Sequence, residues 1–329
     1  MINFMNNNQP AFHLLKSFLR VKFLKGSIPL FVAWDLTYRC NMRCVYCDVP
    51  NYKRSELSTR EVLDGVAKLK RLGMARIHFG GGEPLLREDI ADIINFCHEN
   101  QIYTAILTNG QLFNHNINVL KKTNLVKMSF DGPETIHDSL RGAGSYKKVI
   151  SAAEAAVSHK INLAFSSTLS SKNMGHIDNI VKTCLALKVP VKFQLLTPFL
   201  SGKKDVSDLV IPDKEKKYLL DKIILYKKKS PYIINSLPAL KYMRDFPDVA
   251  PLKCASGKLI LRISDSGKIY LCNIKRNLDT NNTINEYNGH MIEWQDSNDC
   301  KRCLCTTTLE LNHIFSLNIS SILNALKIF

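Results

Sequence analysis

The chain of 329 residues carries 45 Lys and Arg against 29 Asp and Glu, a formal net charge of +16, with 45% hydrophobic and 22% charged residues. That length and composition describe a globular protein of about two domains or one large α/β unit. No apolar run approaches the roughly twenty residues that a spanning helix needs, and no small-residue cleavage site follows a continuous apolar stretch, so neither a spanning helix nor a secretory signal is expected.

The lysines are scattered, as on solvated faces, and no RNA-recognition or helix-turn-helix signature accompanies them, so nucleic acid is not an expected partner. Of ten cysteines, three form a front group and five a back group. Grouping of this sort suits metal ligation in a reducing compartment, the cytoplasm, rather than a disulfide scaffold. Cys97 and Cys184 stand singly within apolar helical patterns and are expected in the core.

In chain order, residues 1–10 are polar, and Phe12, Leu15, Phe18, Leu19 and Phe23 then make a helical stripe interleaved with Lys16, Arg20 and Lys25. This basic amphipathic helix is expected to pack on the domain that follows, with association to an anionic membrane surface as the other reading. Residues 29–36 read as a strand. Directly after it, Cys40, Cys44 and Cys47 place three thiols within eight residues. Three thiolates do not close a four-coordinate site alone; they suit a 4Fe–4S cube with one iron left open, or a zinc site with a distant fourth ligand.

A helix then starts at a capping box, Ser58 with Glu61. The strand around Ile77–Phe79 ends in Gly80, Gly81, Gly82 and Glu83, where glycines allow close backbone approach and a carboxylate can accept from an ammonium group. A helix near Arg87–Glu99, a strand Tyr103–Leu107 closing on Asn109, a helix near Ile117–Lys122 and a strand Leu125–Phe130 follow. So do a helix Tyr146–Ser158, a strand Leu163–Leu169, a helix Ile177–Leu187 and a strand Val191–Leu196. Six strands with crossover-length connections give an α/β fold, a parallel sheet with helices outside, whose ligands sit at the carboxyl ends of the strands. At those ends Ser129 and Asp131 suit ribose hydroxyls and Arg141 suits a carboxylate, while His137 and Asp138 read as local turn residues.

The segment 201–253 reads as a lysine-rich helical bridge, with an amphipathic helix from Asp213. Beyond it, Cys254 and Cys272 bracket a hairpin with its turn at Asp265–Gly267, and Cys300, Cys303 and Cys305 follow. Such a set can hold zinc or an iron–sulfur cluster. Residues 314–329 read as one apolar helix packed back on the barrel.

The spacing Cys-x3-Cys-x2-Cys with Tyr46 before the last cysteine, the Gly-Gly-Glu turn and the Ser129–Arg141 segment together resemble the radical S-adenosylmethionine (SAM) superfamily. The resemblance implies a partial (β/α)6 barrel over residues 30–200, preceded by residues 1–29. It implies a 4Fe–4S cluster on Cys40, Cys44 and Cys47 and SAM held by Tyr46, Gly81, Gly82, Glu83, Asn109, Ser129, Asp131 and Arg141. The back array resembles the twitch version of the SPASM domain over residues 254–329, implying one auxiliary 4Fe–4S cluster on four of Cys254, Cys272, Cys300, Cys303 and Cys305, with the first four favoured. The implied activity is reductive cleavage of SAM to a 5′-deoxyadenosyl radical, followed by oxidation or crosslinking of a peptide, protein or small-molecule substrate. The implied electron donor is a flavodoxin or ferredoxin. No separate leader-peptide-binding domain is read ahead of residue 30, and no residue identifies itself as the base for the coupled proton. The rival readings are a molybdopterin-type cyclase and a non-catalytic, metal-stapled protein that binds nucleic acid.

Overall fold

The computed structural model describes residues 28–52, 55–197, 205–272, 279–290, 292 and 303–328. The expected N-terminal amphipathic helix and Cys300 lie outside these residues. Six strands, β1 (Phe31–Thr37), β2 (Arg76–Gly81), β3 (Tyr103–Thr108), β4 (Leu125–Ser129), β5 (Leu163–Leu169) and β6 (Val191–Leu195), run parallel in sequential order. Between them lie α1 (Thr59–Arg71), α2 (Ile90–Glu99), the single turn α3 (Ile117–Leu120), α4 (Glu134–Arg141), α5 (Ser145–Ser158) and α6 (Ile177–Leu187). Helix α1 starts where the sequence places it, with both halves of the Ser58–Glu61 capping box formed.

Helix α4 departs from the expected turn. Pro133 stands at its N-cap, and its eight residues bury His137, Leu140 and Arg141, so a segment read as local turn presents an inward face. The hairpin is also more than a local feature. Strand β7 (Ile260–Ile263) pairs antiparallel with β8 (Lys268–Tyr270) but parallel with β1, and β9 (Asp279–Thr283) continues the sheet. The order becomes β6-β5-β4-β3-β2-β1-β7-β8-β9.

Alternation along the strands divides the sheet into two faces. Val32, Trp34, Ile77, Phe79, Ile106, Val126, Phe165 and Phe193 point outward and are buried under the helices, each removal from water worth about 1.5–3 kcal/mol. The other set points into the barrel. Helices α7 (Asp213–Lys229) and α8 (Leu237–Asp245) pack together. The last helix is two: α9 (Thr306–Phe315) and α10 (Ile319–Ile328) are broken at Leu317, whose φ is 58°. Helix α9 bridges the open seam between β6 and β7, where Lys192 Nζ reaches Thr307 Oγ1 at 3.5 Å and Arg262 donates to Thr308 Oγ1 at 2.6 Å.

Candidate active site

The loop after β1 is fastened at both ends. Gly82 N donates to Thr37 O at 2.7 Å and Glu83 N to Arg39 O at 2.9 Å, tying it to the turn after β2. Val45 N donates to Leu140 O at 2.9 Å, tying it to α4. Glycine is required at the first fastening. Gly81 has φ +108°, and a Cβ there would lie 2.2 Å from Thr37 O; a Cβ on Gly82 would lie 2.2 Å from Arg39 O. Arg87, which the sequence did not single out, is buried and donates to the carbonyls of Leu36 and Leu57, each at 3.1 Å, and to Asp89.

One pocket opens at the carboxyl ends of the strands. Cys40, Cys44, Cys47, Tyr46, Gly81, Gly82, Asn109, Ser129 and Arg141 line it, together with Met42, Pro50, Leu107 and Thr108. Sequence reasoning named the first nine and missed the last four, which carry no charge or motif to mark them. Asn109 Nδ2 lies 3.7 Å from the Cys40 sulfur and Arg141 NH1 lies 3.9 Å from that of Cys44. Burial pushes the Cys40 and Cys44 thiols up; at Cys44 the Arg141 charge opposes it.

Glu83 and Asp131 stand behind this wall. Glu83 is fully buried, and its carboxyl accepts from Asn109 N at 2.7 Å, Thr108 Oγ1 at 2.9 Å and Leu85 N at 3.2 Å. Burial pushes it up to about 7, against those hydrogen bonds. Asp131 accepts from Arg141 Nε at 2.6 Å, Tyr46 OH at 2.7 Å and Thr168 N at 2.8 Å. Burial works against the Arg141 charge, but Asp131 outweighs it and holds the guanidinium above its ordinary range. His137 Nδ1 accepts from Asp131 N at 3.1 Å, which leaves the proton of the neutral ring on Nε2. Burial, then Arg141, pulls this histidine down to about 4.

The donor set fits an iron–sulfur cube beside an amino-acid cofactor. Three thiols face glycines whose missing Cβ atoms let the backbone close in, and a guanidinium and an amide border the same space. Among the described residues no three His, Cys, Asp or Glu side chains converge as they would on a single ion. A cube that takes each thiolate on a separate iron needs no such convergence.

Residues 34–184 match the radical SAM superfamily. The chain carries a radical SAM domain. It is similar to the mycofactocin maturase MftC of Mycobacterium ulcerans (strain Agy99), 27% identical over 253 residues, which cover 74% of this chain and 68% of that protein. In fold it is similar to Streptococcus suis SuiB bound to its precursor peptide SuiA, with a TM-score of 0.69 and 16% identity over 89% of this chain and 71% of that one. It is also similar to anSMEcpe with bound SAM, with a TM-score of 0.64 and 19% identity over 79% of this chain and 76% of that one. The parallel sheet thus matches that of the radical SAM partial-barrel structures, and the residues lining the strand-end pocket fall within the matched stretch.

Of the back cysteines, Cys254, Cys272 and Cys305 lie near enough to Cys303 to act on its charge. Arg262 NH2 lies 3.9 Å from the Cys305 sulfur, Thr308 Oγ1 lies 3.5 Å from it, and Cys303 Sγ lies 3.9 Å from Cys305 O. Burial raises the Cys303 thiol, and so do Cys305, Cys254 and Cys272 around it. At Cys305 burial is outweighed by Arg262 and Thr308, and the thiol is lowered. No helix among the described residues is long and apolar enough to cross a membrane.

Proposed function

We propose that this radical SAM enzyme modifies a peptide or protein, with a 4Fe–4S cluster on Cys40, Cys44 and Cys47 and SAM in the same pocket. The observation that carries the reading is the pocket itself, in which the three thiols, Gly81, Gly82, Asn109, Ser129 and Arg141 border one space. When bound, the cluster and SAM supply an electron and a 5′-deoxyadenosyl radical that takes a hydrogen atom from substrate.

This chain's own groups orient and shield. Gly81 and Gly82 present backbone to the cofactor, and Glu83 holds that turn to the end of β3 through Thr108 and Asn109. Asp131 fixes Arg141 and Tyr46, so that the guanidinium meets the pocket already oriented. Ser129 offers a hydroxyl on the inner face of β4. A peptide substrate is supported by MftC, a maturase, and by SuiB, held with its precursor peptide.

Cys254, Cys272, Cys303 and either Cys300 or Cys305 would hold one auxiliary 4Fe–4S cluster, which would supply an acceptor for the electron left on substrate, and a flavodoxin or ferredoxin would be the donor of the first electron. The test is Cys44→Ala in the anaerobically reconstituted, reduced enzyme. Loss of 5′-deoxyadenosine formation with part of the iron retained supports the front site; undiminished formation overturns it.

A further inference from the structure

The barrel interior is packed only in part, with Ala105, Leu125 and Ala164 in one apolar cluster and Phe31 and Ile260 in another. Along β1, β4, β5 and β6 the inward positions Ala33, Lys127, Ser166 and Lys192 retain accessible surface while their outward neighbours are sealed, and inward-facing Leu107 is 41% exposed. Leu107 also lines the cofactor pocket, so the accessible inner surface continues from that pocket into the barrel as a chamber. Basic residues stand at its inward positions: Lys127 on β4, Lys192 on β6 and the buried Arg262 on β7, with His78 on β2 held neutral by burial and by the neighbouring lysine. Lys127 Nζ lies 3.2 Å from His78 Nδ1, and His78 Nε2 is buried without a partner.

Among the described residues no ion pair includes Lys127, Lys192 or Arg262. Asp35 is the one acid at the inward positions of β1–β7, and it accepts from Tyr270 OH at 2.9 Å. Glu310, the acid that acts on Lys192, already accepts from Ser236 N at 2.8 Å. Cys305 faces Arg262 and acts on Lys192 as well, whereas only basic groups act on Lys127, and an enclosed cation without counter-charge is costly to keep. Burial, with Lys192 and Arg76 nearby, holds the Lys127 ammonium well below its ordinary range, a cost that a bound anion would reverse.

The chamber adjoins the chemistry. Lys127 stands two residues before pocket-lining Ser129, about 7 Å of strand, and Ser129 pairs through Ser166 with Lys192. We infer that this chamber is the subsite for a carboxylate of the substrate, a peptide C-terminus or an acidic side chain, held by Lys127 and Lys192 with Arg262 behind them. The inference rests on the peptide-modifying reading, and it places the reacting carbon a few bonds from that carboxylate, beneath Ser129 and Leu107.

Equilibrium dialysis of the reconstituted enzyme with SAM bound tests it, using radiolabelled N-acetyl-leucine, N-acetyl-leucinamide and N-acetylglutamic acid α-amide. One of the two acids should bind at least tenfold tighter than N-acetyl-leucinamide, and which acid binds identifies the source of the carboxylate. Lys127→Met and Lys192→Met should each weaken that binding at least tenfold, with Lys127→Arg retaining most of it. The Met variants should keep or raise the thermal midpoint, since like-charge repulsion is removed; a merely structural lysine would lower it. Equal binding of acid and amide, binding of neither, or wild-type acid binding by both Met variants overturns the inference. Formation of 5′-deoxyadenosine by the same wild-type preparation separates its failure from failure of the radical SAM reading.

Discussion

Arg141 Nε donates to Asp131 at 2.6 Å while another nitrogen of the same guanidinium stands 3.9 Å from the Cys44 sulfur, so one side chain joins the buried acid behind β4 to the thiol loop after β1. Both partners are buried, and removing one charge of such a pair leaves the other uncompensated. Arg141→Ala is expected to cost about 3–5 kcal/mol in denaturant unfolding and to abolish 5′-deoxyadenosine formation. Arg141→Lys keeps the charge but not the fork, and is expected to retain more stability than activity. Equal stability of Arg141→Ala and wild type would remove the pair from the account.

Gly82→Ala puts a methyl 2.2 Å from Arg39 O. That contact can be relieved only by parting the turn after β2 from the loop after β1, which the Gly82 N–Thr37 O and Glu83 N–Arg39 O bonds hold together. A destabilisation of about 1–3 kcal/mol and SAM binding weakened roughly tenfold or more are expected, the first by thermal unfolding and the second by equilibrium dialysis.

Stability should carry two opposed pH slopes. Glu83 stands at about 7 in the fold against about 4.3 unfolded, so the native state holds the extra proton and stability falls as pH rises from about 4.5 to 7. His137 stands at about 4 against about 6.5 unfolded, so the unfolded state holds the extra proton and stability is lost as pH falls from about 6.5 to 4. Each spans about 3.5 kcal/mol. They largely cancel in the wild type. Glu83→Gln should expose the rise with pH and His137→Gln the fall; unchanged profiles in both would contradict the burial argument.

At the back array, Cys303→Ala is expected to lower bound iron by about four atoms per chain while SAM cleavage without substrate continues. Cys300→Ala and Cys305→Ala then decide the fourth ligand, because only the true ligand should reproduce that loss.

Much of the barrel was legible in the sequence because its signals are local. Ser58 and Glu61 satisfy each other three residues apart, and the thiols and the glycine turn sit at strand ends that periodicity alone locates. What was not legible depends on distance. The direction of the Glu83 carboxyl is set by Thr108 and Asn109, some 26 residues away, and a sequence cannot say whether an acid beside glycines faces a ligand or the core. Helix α4 hid behind Gly132 and Pro133, which read as a turn, although proline is also a helix-start residue. The break at Leu317 has no glycine or proline to announce it. Lys127 and Lys192 alternate with apolar neighbours as solvent-facing residues do, and only ring closure by β7 and α9 turns that face inward.

The most direct test is anaerobic reconstitution of the full chain, a count of iron and sulfide, and addition of dithionite and SAM. About eight irons per chain, with 5′-deoxyadenosine and methionine formed in equal amounts, is the predicted result. A fully reconstituted, reduced sample that forms no 5′-deoxyadenosine, or that holds zinc in place of iron at Cys40, Cys44 and Cys47, would contradict the account.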